Sequence, residues 1–126
     1  MLLTIDPRDP RPIYQQVTDG IKELIALGKL EQGAPLPPVR QLAADLGVNL
    51  NTIATAYREL QKLGLVTISR GAGCIVSSSR TTERSPEQLM RSLRVALTDM
   101  VLSGVPSKEI RSLVSRELGT VRKRRK

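Results

Sequence analysis

Between residues 11 and 64, apolar positions recur every three or four residues and glycines punctuate them at 28, 47 and 64. In "RPIYQQVTDGIKELIAL" (11–27), Ile13, Val17, Ile21, Leu24 and Ile25 share one helical face, Pro12 suits the first turn and Gly28 ends the run. "LEQGAPLPP" (30–38) reads as a Pro/Gly loop. "VRQLAADLG" (39–47) reads as a short helix with Val39, Leu42, Ala43 and Leu46 on one side and Gly47 as its stop. Only Val48 and Asn49 precede a third helix, from about Leu50 to Lys62, with a stripe of Ile53, Ala56, Tyr57, Leu60 and Leu63. After Gly64 the period shortens. "LVTIS" (65–69) and "CIVSS" (74–78) are short and β-branched, and Arg70-Gly71-Ala72-Gly73 joins them as a hairpin tip. Two helices across a tight turn followed by a hairpin predict a winged helix-turn-helix.

"SRTTER" (79–84) is polar and reads as a linker. "SPEQ" (85–88) is a capping box, with Ser85 as cap, Pro86 in the first turn and Gln88 reaching back. Leu89, Leu93, Ala96, Leu97 and Met100 then make one stripe, and Gly104, Val105 and Pro106 end the helix. A second helix from Ser107 carries Ile110, Leu113, Val114 and Leu118. Two such helices bury too little surface to stand alone, and a second copy of the chain is the simplest cover. The expected architecture is mostly α with a small β-hairpin. A winged helix-turn-helix domain spans 1–78, a linker 79–84, a two-helix dimerisation segment with room for an effector 85–119, and a basic disordered tail 120–126. Homodimerisation is expected through residues 85–118.

The third helix has a polar leading edge, which a core does not need. Asn51, Thr55, Arg58 and Lys62 run opposite the apolar stripe, with Asn49 and Thr52 at the helix start. Asn pairs bidentately with adenine in the major groove, and Thr offers a hydroxyl and a methyl. Backbone N–H groups at a helix N-terminus also point towards phosphate. Asn49 is equally suited to capping the helix, and the two roles are compatible. Arg40, before the apolar pair Leu42–Ala43, faces outward; a solvated arginine is the plain alternative. Tyr14 and Tyr57 read as packing residues with a polar tip.

Residues 11–76 resemble the GntR-family winged-helix domain along their whole length. The motifs are "RPIYQQV", "GKLEQGAPLP", "RQLAADLGV", "NTIATAYREL", "GLV" and the "GAG" of the wing. "VNLNT" with "AYREL" and a short helical tail is similar to the YtrA-type subfamily in particular. The resemblance implies a DNA-binding transcription regulator, a repressor, acting as a homodimer on a pseudo-palindromic double-stranded operator, with transporter genes nearby. It implies groove contact by Arg40, base or phosphate contacts by Asn49, Asn51 and Thr52, and a close approach of the wing at Gly71, beside Arg70. Three departures from the family pattern stand out. Pro38 stands where Ser is common, Leu50 and Ala54 where some relatives carry Arg, and Cys74-Ile75 where Thr-Phe is usual. Operator preferences therefore do not transfer.

The 126 residues carry a net charge of +8, but unevenly. Residues 1–79 hold 8 Lys/Arg against 7 Asp/Glu, whereas 80–126 hold 12 against 5, and "VRKRRK" alone supplies +5. Charge therefore concentrates in a solvated terminus. With no Phe, no Trp and two Tyr, the core must be aliphatic. The absence of His and the single Cys74 exclude His-based catalysis, most zinc sites and an intrachain disulfide. Cys74 reads as a strand-packing thiol rather than a redox sensor. No paired carboxylates or Gly-rich phosphate loop point to an enzyme, and neither cofactor nor metal is expected. No apolar run reaches a membrane span, and the N-terminus lacks a signal-peptide pattern, so a cytoplasmic protein is expected. A small-molecule effector, which the sequence does not identify, would bind at the dimer seam. A DNA-architectural or partner-recruiting module without an effector is the alternative function.

Overall fold

The computed structural model describes residues 3–69, 73–81 and 84–125, with side chains as far as Gly119. The chain divides into two compact units, Met1–Thr81 and Thr82–Lys126.

In the first unit, α1 (Ile13–Ala26), α2 (Val39–Leu46) and α3 (Leu50–Lys62) precede β1 (Val66–Ser69) and β2 (Gly73–Val76). Val17, Ile21 and Ile25 of α1 pack with Ile53, Ala56, Tyr57 and Leu60 of α3; Leu42 and Ala43 of α2 and Leu65, Val66, Cys74 and Val76 close the core. Each fully buried Ile or Leu is worth about 1.5–3 kcal/mol over its exposed state. Leu63 is half-buried at the edge of the stripe. Pro12 sits one residue outside α1, at its N-cap position.

Gly47 ends α2 in the left-handed region, at φ 67°. The next N–H, of Val48, bonds back to the Ala43 carbonyl at 3.0 Å. A side chain at this φ is strained by roughly 1–2 kcal/mol, so glycine lets the chain turn directly into α3.

Residues 33–36, expected as loop, lie along β2 as a third edge. The N–H of Gly33 donates to the Val76 carbonyl (2.7 Å), that of Val76 to Ala34 (2.9 Å) and that of Leu36 to Cys74 (2.8 Å), with a bridge between Pro35 and Ile75. Pro35 has no N–H, which keeps the pairing short. The N-terminal segment is also fastened down. The buried Gln16 side chain accepts from the N–H of Asp6 (2.9 Å) and donates to the carbonyls of Asp6 and Arg11 (3.2 Å each), while Leu3 and Ile5 pack on the core.

β1 and β2 pair antiparallel, from Val66 opposite Val76 to Ser69 opposite Gly73. Cys74 faces inward, and burial pushes its thiol up to about 11. A protonated, enclosed thiol is unreactive at neutral pH, which fits strand packing.

In the second unit, α4 (Pro86–Leu102) opens with the expected capping box. The Ser85 hydroxyl accepts from the N–H of Gln88 (3.2 Å), and the Gln88 side chain accepts from the N–H of Ser85 (2.8 Å). Gly104, at φ 83°, leads to α5 (Ser107–Arg125). α5 continues past 119, where the sequence pattern placed the start of a disordered tail. Arg and Lys are good helix formers, and cations complement the C-terminal end of a helix. Among the described residues of this unit only Ile110 is buried, at 7% exposure. No described helix is long and apolar enough to cross a membrane.

Candidate nucleic-acid interface

The outward side of α3 is built from its first residue on. Asn49 holds the N-cap position, and its side-chain oxygen accepts from the N–H of Asn51 at 2.7 Å. Capping is thus a role Asn49 performs without a ligand. The N–H of Thr52 donates to the Asn49 carbonyl (3.0 Å), and the Thr52 side chain is half-buried beside the core stripe. One turn on, the Thr55 hydroxyl donates to the Asn51 carbonyl (2.9 Å) and accepts from the Arg58 guanidinium (3.3 Å). Asn51 and Arg58 are exposed. Asn51, Thr55 and Arg58 therefore form one linked polar ridge, opposite the buried face. Arg40 is exposed on the first turn of α2, the other helix of the turn. Arg70 and Gly71 lie outside the described residues.

Beside this ridge runs an apolar cleft of about 290 Å³. Ala54, Tyr57 and Arg58 of α3 line it with Pro37, Pro38, Val39, Ile68, Gly73 and Cys74. Arg58 belongs to both features. The cleft joins the start of α2, the middle of α3 and the hairpin. Sequence reading missed it because Pro37, Ala54 and Ile68 are distant in the chain. Ile68 is 42% exposed on β1, and nothing in the β-branched pattern of "LVTIS" distinguishes it from its neighbours.

Charge is used sparingly. Arg11 is held by Asp9 (2.6 Å) and Asp19 (2.5 Å), which raises its pKa above the usual value, while Arg11 draws the Asp9 carboxyl down. It is committed to carboxylates, not offered to phosphate. The Lys62–Glu59 pair at 3.8 Å is exposed and contributes little. Among the described residues no group of His, Cys, Asp or Glu could hold a metal ion.

A helix-turn-helix with a hairpin wing and a polar ridge on its second helix defines a DNA-binding domain of the sequence-reading class. Residues 13–76 match the family described as "Bacterial regulatory proteins, gntR family". The chain belongs to the GntR family. The HTH-type transcriptional repressor YtrA of Bacillus subtilis (strain 168) is 35% identical over 107 residues, 82% of each chain. The transcriptional antiterminator from Listeria monocytogenes EGD-e matches with a TM-score of 0.81 and 29% identity, over 96% of this chain and 92% of that one. AraR(DBD), solved in complex with operator ORX1, matches with a TM-score of 0.54 and 30% identity, over 60% of this chain and 93% of that one. The chain is a DNA-binding transcriptional regulator, and its relatives are regulators rather than enzymes.

Proposed function

We propose that this regulator is a cytoplasmic repressor that binds a pseudo-palindromic operator as a homodimer. The observation that carries the reading is the linked ridge of Asn51, Thr55 and Arg58 on the exposed side of α3. Asn51 and Arg58 present amide and guanidinium groups suited to adenine and guanine edges, with Arg40 supplying a second guanidinium from α2. Thr55 orients Arg58, and Asn49 fixes the start of the helix by its cap while remaining at the surface. Thr52, whose side chain is only half-buried, offers its hydroxyl to a base edge or a phosphate. Arg70 and Gly71, which the sequence pattern assigns to the turn of the hairpin, add a further contact to the DNA. The repressor named YtrA and the operator complex of AraR(DBD) support the same reading.

Dimerisation is assigned to residues 85–118. The α4–α5 hairpin leaves Leu93, Val101, Val114 and Leu118 45–61% exposed around a groove of about 570 Å³. Soluble monomers rarely leave so continuous an apolar surface open, and the same surface on a second copy would cover it. A small-molecule effector would have to act at this seam. Selection of bound sequences from a random DNA pool tests the proposal. A symmetric motif with two half-sites is expected, and a chain that enriches no sequence would refute it.

A further inference from the structure

We infer that Leu50, supported by Ala54, reads thymine through its C5-methyl group and so sets part of the operator preference. The inference rests on the operator reading above and deepens it.

Leu50 is the first residue of α3 and stays 40% exposed, next to the exposed Asn51. A leucine there fills no core position; the buried set of α3 is Ile53, Ala56, Tyr57 and Leu60. Residues four apart stack along one side of a helix, so Leu50, Ala54 and Arg58 form a ridge beside that of Asn51 and Thr55. The two ridges are tied together where the Arg58 guanidinium donates to the Thr55 hydroxyl. Asn51 at an adenine places that adenine's own partner, thymine, within the same base pair. The pair presents a methyl beside the amide pattern in the major groove. The apolar ridge lies one residue from Asn51 and one turn deep, and it continues into the cleft lined by Ala54 and Ile68. An apolar side chain that solvent covers in the free protein gains by meeting a methyl, which is the group that separates thymine from uracil. Leu50 is thereby a specificity-determining residue, distinct from the polar readers already named.

The test uses the full chain and the duplex enriched from a random pool, with each thymine replaced singly by uracil. At one or two positions per half-site, uracil should weaken binding about fourfold, the worth of one buried methyl. Leu50→Ala should bind the thymine and uracil duplexes alike, while Leu50→Met, which keeps an apolar reach, should retain most of the difference. Unchanged thermal unfolding of both variants would separate a lost contact from a lost fold. If Leu50→Ala keeps the full thymine preference, or no position responds to uracil, the methyl contact is overturned while the operator reading stands. If the pool yields no enriched duplex at all, the operator reading itself fails first.

Discussion

The Tyr57 hydroxyl donates a hydrogen bond to the Pro37 carbonyl at 2.7 Å, tying the inner face of α3 to the segment that launches α2. Tyr57 is 2% exposed, and burial raises its pKa, with Cys74 adding to the shift. The bond crosses 20 residues of chain and fixes the spacing of the two helices that would meet DNA. Tyr57→Phe removes the donor and leaves the carbonyl short of a partner. The expected cost is about 1–2 kcal/mol in urea unfolding, with a loss of operator affinity at least as large as the stability loss predicts. Unaltered stability would mean that water replaces the hydroxyl at no cost.

The reader residues and the cap residue separate by what they lose. Asn51→Ala and Arg40→Ala should each weaken specific binding by roughly 1–3 kcal/mol and relax preference at particular base pairs. Asn49→Ala should instead lower stability by about 1 kcal/mol, because the N–H of Asn51 loses its acceptor. Equal losses of Asn51→Ala on operator and random DNA would leave that residue only a phosphate contact.

Charge placed in the groove of the second unit should break the dimer. Val114→Glu puts a carboxylate on the apolar lining beside Leu93 and Leu118. Sedimentation should then report a monomer, and operator affinity should drop tenfold or more as the second half-site loses its tether. A dimer that survives this substitution and also survives Leu93→Glu does not form through α4 and α5.

The run "RKRRK" (122–126) carries five positive charges. Deleting it should lower affinity for all duplexes alike and flatten the dependence of log affinity on log salt. The preference for operator over random DNA should hold or rise. An unchanged salt slope removes these residues from DNA binding.

Cys74 makes stability fall at alkaline pH. The unfolded thiol ionises near 9.0, whereas the buried one holds its proton to about 11. The folded state therefore gains fully below pH 9 and loses that gain as pH rises from 9 through about 11. The loss should be on the order of 1 kcal/mol by the top of the window. Cys74→Ala should reduce the pH dependence of the melting temperature in that range, while Tyr57, whose unfolded hydroxyl ionises near 10.0 and whose buried one holds its proton longer, still contributes from about pH 10 upward.

Short-range signals decided which elements form. Gly47 with Asn49 sets the turn, the third helix runs from Leu50 to Lys62 as its period requires, and Ser85 with Gln88 opens α4. Each of these bonds a group within four residues of itself, so the pattern is written locally. The outward ridge was legible for the same reason, since helical spacing alone sets Asn51, Thr55 and Arg58 opposite Ile53 and Leu60. Tertiary structure decided the rest through partners far apart in the chain. Residues 33–36 become a third edge because β2 offers the N–H groups of Gly33 and Leu36 the Val76 and Cys74 carbonyls, about forty residues on, and no local signal in "GAPLP" encodes that pairing. Gln16 looks like any surface glutamine until Asp6 and Arg11 fold back onto it. The cleft under Arg58 exists only once the wing has packed against Pro37 and Tyr57, because an apolar surface is shaped by all the elements that meet there and by none of them alone.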